Sequence, residues 1–169
     1  GHELAYHPGN TNFLRADLFI INKVDSADPQ QVRQLEEHCR SYNPDADIIK
    51  AESIITVEDP SVIEGKKVLV VEDGPTLTHG EMKIGAGTVA AQRNGAASLV
   101  DPRSVAVGTI KETFEKYPDI GVLLPAMGYG EKQIKDLEET INSSDCEAVV
   151  VATPIDLNRI VNIRKPNTR

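Results

Sequence analysis

The 169-residue chain has no tryptophan, only two cysteines and 4% aromatic residues. It also lacks any apolar run near the roughly 20 residues that cross a bilayer. Its longest apolar stretches are strand-sized, which excludes a membrane-spanning helix. Cys39 and Cys146 stand outside any C-x-x-C arrangement and have no histidine at ligand spacing, which excludes a zinc finger or a redox pair. They read as ordinary reduced cysteines, small and apolar. No secretory leader is present, so a cytoplasmic location is expected. Gly1-His2 resembles what tag cleavage leaves, so the natural start can differ. Positive charge is scarce as well: the net charge is -8. That argues against broad nucleic-acid or membrane-surface partners, which need a basic face. Last, the phosphate-cradling pattern G-x-x-x-x-G-K-[ST] is missing. The chain alone is therefore not expected to turn over nucleotide.

What is present is a hydrophobic content of 40%, enough for a core. The length supports one domain, or a domain plus part of another. Residues 1–16 carry Pro8, Gly9 and Asn10 without a period and read as loop. Apolar runs predict strands over residues 17–24, 48–51, 66–73, 98–100, 121–126 and 148–152. Helices are expected over 29–42, 88–93, 105–116 and 131–142, and a short one after Asp156. Asp28 and Pro29 supply the cap and first position of the first of these. Arg159, Arg164, Lys165 and Arg169 make a locally basic tail, read as a solvated end or as a phosphate or partner contact. The alternation predicts an α/β fold: a doubly wound, mostly parallel sheet with helices on both faces. Residues 1–57 read as one part and 58–169 as a second α/β region with a Gly-rich loop.

In such sheets ligands sit beyond the carboxyl ends of the strands. The polar motifs all fall there. Asn22-Lys23-Val24-Asp25 closes the first strand. A strand ending in N-K-x-D is how P-loop GTPases read guanine: the Asp carboxylate accepts from the ring N–H and amine, the Asn meets the other edge, and the Lys stem covers the face. The rival reading is a structural turn in which Asn22 and Asp25 bond backbone.

The connection over residues 74–87 is long and carries Thr76, Thr78, His79, Lys83, Gly85 and Gly87. The two glycines let backbone approach a ligand closely. A helix starting near Thr88 offers free N–H groups to a phosphate. Lys83 adds charge and His79 can carry a proton. Asp73 can hold Mg²⁺ through water or cap the turn. Arg103 is a phosphate fork or a surface ion pair. Gly128 and Gly130 open a further strand-to-helix turn that can take an anion, and Thr153 to Asp156 form another polar strand end. His2, His7 and His38 have no such company and read as structural or tag-derived.

The run V-V-E-D-G-P-T-L-T-H-G-E-M-K-I-G-A-G-T-V-A-A resembles cyclic 2,3-diphosphoglycerate synthetase and the predicted P-loop GTPases related to it. So do D-P-R-S-V-A-V-G-T-I, L-P-A-M-G-Y-G, D-L-E-E-T-I-N and A-T-P-I-D-L. With N-K-V-D, the resemblance covers nearly the whole chain from about residue 8. It implies the C-terminal portion of a longer P-loop-related enzyme, with residues 1–57 ending a nucleotide-binding G-like domain. It implies ATP or GTP with Mg²⁺, a small phosphorylated metabolite as partner, and ATP-driven closure of an intramolecular phosphoanhydride. Such chemistry is largely positioning and charge neutralisation. On that view His79, Lys83 and Arg103 are the catalytic groups, and Asn22, Lys23 and Asp25 bind nucleotide. Thr76, Thr78, Gly85, Gly87, Thr88, Gly128 and Gly130 bind phosphate or substrate, and Asp73 holds the metal. The alternatives are a GTP-binding protein without this chemistry, and a non-catalytic phosphometabolite-binding module. A half sheet with open edges further suggests a homo-oligomer.

Overall fold

The computed structural model describes residues 2–5, 7–74 and 85–169. The chain forms two compact units, Gly1–Ile54 and Ile55–Arg169.

In the first unit, α1 (His2–Ala5) and α2 (His7–Arg15) precede β1 (Leu18–Ile21), α3 (Pro29–Tyr42) and β2 (Asp47–Lys50). The expectation of loop over residues 1–16 is thus corrected. Tertiary packing overrides weak local propensity: Phe13 is buried and its ring lies 4.8 Å from that of Phe19. Pro8 sits in the first turn, where its missing N–H costs nothing. Asp28 caps α3 as expected, accepting from the amides of Gln30 at 2.7 Å and Gln31 at 3.2 Å. Strands β1 and β2 pair in parallel, with Ile20 opposite Ile49. One face of this ribbon stays open: Leu18 is 46% exposed, Ile20 63% and Ile49 50%. Replacing Ile20 by serine should therefore change stability by no more than about 0.5 kcal/mol, as read by urea denaturation.

The second unit holds β3 (Lys67–Asp73), α4 (Ala86–Arg93), β4 (Ser98–Leu99), α5 (Gly108–Lys116), β5 (Leu124–Ala126), α6 (Glu131–Ser143), β6 (Ala148–Ala152) and β7 (Asn167–Thr168). All its strand pairs are parallel. β3 is central. β6 lies on one side with β7 beyond it, while β4 and β5 pair with the two ends of β3 on its remaining edge. The apolar run Val68 to Val71 is fully buried, as suits a strand covered on both faces. Leu123, Leu124, Leu137, Ile141, Val149 and Val151 complete the core.

Two local departures have clear causes. The helix expected from residue 105 begins at Gly108, because Ala106 and Val107 are extended and separate it from the short turn over Pro102–Val105. The basic tail is not a loose end. Thr168 is buried in β7, Lys165 Nζ donates to the Ser144 carbonyl, and Arg169 donates to the Pro154 carbonyl at 3.1 Å. No helix among the described residues is long and apolar enough to cross a membrane.

Candidate functional site

The second unit changes direction at β3. The chain first builds outward through β4 and β5, then crosses to β6 and β7. Such a switch point opens a crevice at the carboxyl ends of the strands. Asp73 stands opposite Ala126 of β5, and Glu72 stands opposite Ala152 of β6. Glu72, Asp73, Thr88, Tyr129 and Thr153 therefore come from the ends of three adjoining strands and the start of α4.

Glu72 is the most unusual of them, a carboxyl only 3% exposed. Its Oε1 accepts from the Thr88 amide at 2.8 Å. Burial pushes its pKa above the ordinary 4.5, while the amides of Thr88, Gly87 and Gly85 pull the other way. The carboxyl thus fills the anion-attracting start of α4. A Cβ on Gly85 would strike Glu72 Oε2. The Thr88 hydroxyl is buried and faces the same carboxyl. Of the phosphate-binding expectations, Gly85, Gly87 and Thr88 thus surround a side chain of the protein itself. An incoming anion would have to displace Glu72.

Tyr129 is the second unusual group. Its ring packs against the core, and its hydroxyl is buried beside that of Thr153. Burial raises its pKa, and the nearby Asp73 carboxylate raises it further. The Thr153 hydroxyl lies close by but spends its own proton on the Ile155 carbonyl at 2.7 Å.

The other expected residues are placed as follows. Arg103 stacks on Phe114 at 4.6 Å, donates to Asp101 Oδ2 at 2.8 Å and reaches the Ile120 carbonyl. Those contacts commit its fork to neighbours in the fold. Gly128 and Gly130 flank the Gln133 side chain, whose Oε1 accepts from the Gly130 amide at 3.2 Å. The start of α5 is likewise capped, by Asp136 Oδ2 accepting the Thr109 amide and hydroxyl at 2.8 Å each. Thr76, Thr78, His79 and Lys83 lie outside the described residues. No group of three or more His, Cys, Asp or Glu among the described residues can hold a metal.

In the first unit, N-K-V-D forms a tight turn. Lys23 adopts φ +61°, the left-handed region, and Asn22 Oδ1 accepts from its amide at 2.9 Å. Asp25 Oδ1 accepts from the Ser53 amide at 2.9 Å, which ties the turn to the segment after β2. The bond to Ser53 leaves Asp25 with a second oxygen, and Asn22 keeps its amide N–H groups. A cleft of about 380 Å³ is bounded by Ile21, Asn22, Ala27, Gln31, Leu35 and His38; Asp25 is not part of its lining.

Sequence reasoning missed Glu72 and Tyr129. The signal for Glu72 was a carboxyl interrupting the apolar run V-L-V-V-E-D. A charge inside a buried strand needs hydrogen-bond partners, and three backbone amides supply them. Tyr129 gave no such signal.

Over all 169 residues the chain is 57% identical to a protein named arginine synthetase ArcE, from Thermococcus kodakarensis. It spans 38% of that protein's length. No family model matches the chain. No solved structure matches it either.

Proposed function

We propose that this chain is part of a nucleotide-dependent synthetase that forms arginine. The observation that carries the reading is the 57% identity over the whole chain to arginine synthetase ArcE. Two features of the chain support it. The N-K-V-D turn offers Asn22 and Asp25 to a base. The carboxyl edge of β3 offers carboxylates and hydroxyls to a small polar metabolite. Converting a ureido group into a guanidinium replaces an oxygen by a nitrogen. A nucleotide makes that exchange favourable if the oxygen leaves as phosphate with the transferred phosphoryl group. In this reading the first unit holds ATP or GTP with Mg²⁺, the second holds the amino acid, and copies of the chain associate through the open face of β1 and β2.

The test is an assay of the full-length protein with ATP or GTP, a ureido amino acid and ammonia, with arginine and released phosphate both quantified. Equal amounts of the two are expected. Arginine absent under every nucleotide would sink the reading. A second reading rests on the Gly-rich segment's likeness to cyclic 2,3-diphosphoglycerate synthetase. Phosphate release that depends on 2,3-diphosphoglycerate, with no arginine formed, would select it. Within either reading, Asp25→Ala should weaken guanine nucleotides at least tenfold, about the worth of one charge-assisted hydrogen bond. Unaltered guanine-nucleotide affinity would assign Asp25 to the Ser53 turn alone.

A further inference from the structure

We infer that β1 is an interior strand of a larger parallel sheet, and that its free edge pairs with the strand that leads into α1 in the longer polypeptide. The inference does not rest on the arginine reading. It uses only the length of the relative, of which this chain spans 38%. The backbone of β1 is half used. The carbonyls of Asp17 and Ile21 accept from the amides of Asp47 at 3.1 Å and Ala51 at 2.9 Å. A parallel strand turns alternate residues to opposite neighbours. Leu18 and Ile20 therefore turn their N–H and carbonyl groups to the other edge, with which no strand pairs among the described residues. A two-stranded sheet is at best marginally stable by itself. The composition shows on which side it continues. β1 reads Leu-Phe-Ile-Ile without a charge, as suits an interior parallel strand. β2 begins at Asp47 and ends at Lys50, the kind of charge that blunts a sheet margin.

Handedness identifies the neighbour. α3 carries the chain from β1 to β2 over the face that holds Phe19. α1 and α2 lie on that same face. Phe13 of α2 packs on Phe19 at 4.8 Å and meets Tyr42 of α3 at 6.2 Å, between ring centroids. Glu3 Oε1 of α1 lies 3.0 Å from His38 Nδ1 of α3. Crossovers between parallel strands of one sheet are right-handed. Over a given face, a right-handed crossover always steps the chain in one direction along the sheet. α3 steps it from β1 to β2, so α1 and α2 step it onto β1 from the opposite side. The preceding strand therefore lies along the free edge of β1, and the order is that strand, β1, β2. It gives Leu18 and Ile20 their backbone partners. It also puts the Asn22–Asp25 turn within the carboxyl edge of the sheet instead of at its margin.

Amide hydrogen exchange on the full-length protein, resolved to single residues, tests this. The Ile20 amide should exchange at least about a hundredfold more slowly than an unstructured peptide, as paired amides of a stable sheet do. Exchange at the unstructured rate would overturn the proposal. The protection should be unchanged when the protein is diluted until it is monomeric. Protection lost on dilution would mean that a second copy supplies the strand, and would also overturn it. The partner's identity is read at the same dilution, by photo-crosslinking from benzoylphenylalanine placed at Leu18. Leu18 is 46% exposed and tolerates the larger ring. Crosslinked peptides should come from the segment of the full-length protein that precedes α1. Crosslinks confined to the 169 residues of this chain would place another part of the same fold on that edge, and the proposal would fall.

Discussion

Glu72→Ala should cost about 3 kcal/mol of stability near pH 5, the sum of an orphaned helix-start amide and a void beneath it. The carboxyl is 3% exposed and accepts from the Thr88 amide at 2.8 Å. Water cannot readily take over that bond after truncation. Glu72→Gln keeps an acceptor for Thr88 but brings an N–H₂ group among the amides of Gly85 and Gly87, so an intermediate loss is expected. The pH dependence follows from the direction of the shift. Burial raises the folded pKa above 4.5, so the folded protein holds this proton more tightly than the unfolded chain does. The contribution of Glu72 is full below 4.5 and declines as pH rises through the raised folded value. The gap between parent and Glu72→Ala in urea denaturation should therefore be wider near pH 5 than at pH 8. A gap that widened with pH would mean that the amides stabilise the carboxylate more than burial penalises it.

The same residue shows what the sequence could and could not convey. Apolar runs and helix punctuation are local signals, so the strands β3, β5 and β6, their parallel pairing and the cap at Asp28 were legible, though the strand order was not. So was the placement of polar motifs at strand ends, because the topology of an alternating α/β chain fixes it. The partner of each polar group was not legible, because partners meet through the fold. Nothing local says that the start of α4 receives Glu72, that the start of α5 receives Asp136 from α6, or that Arg103 lies over Phe114. The short helices before β1 were hidden for a related reason. Residues 2–15 have little helical preference of their own, and the packing of Phe13 on Phe19 supplies what the pattern lacks. Tyr129 looked like an ordinary turn residue, since the burial of its hydroxyl is visible only in three dimensions.

Gly87→Ala should lower stability by about 2 kcal/mol, although alanine is the better helix former by up to about 1 kcal/mol. From sequence, Gly85 and Gly87 read as places where backbone meets a ligand. In the fold the close approach at Gly87 is to the sheet. A Cβ there would lie 2.6 Å from the Ala152 Cβ and 2.8 Å from Val70 Cγ1, against a comfortable separation of roughly 3.5–4.0 Å. Val70 is fully buried and stiff at χ1, and the Ala152 methyl moves only with its strand. The added methyl must lift α4 off β3 and β6, which strains the Glu72–Thr88 bond. Ala152→Gly removes the shorter of the two contacts, so the double variant should recover more than half of the loss. Sites in direct contact couple in this way, whereas distant ones add. The pair of variants also separates two uses of the glycine. If Gly87→Ala left the melting temperature unchanged and abolished ligand binding, the small residue would be there for a ligand. Loss of stability rescued by Ala152→Gly assigns it to the seating of α4 against the sheet.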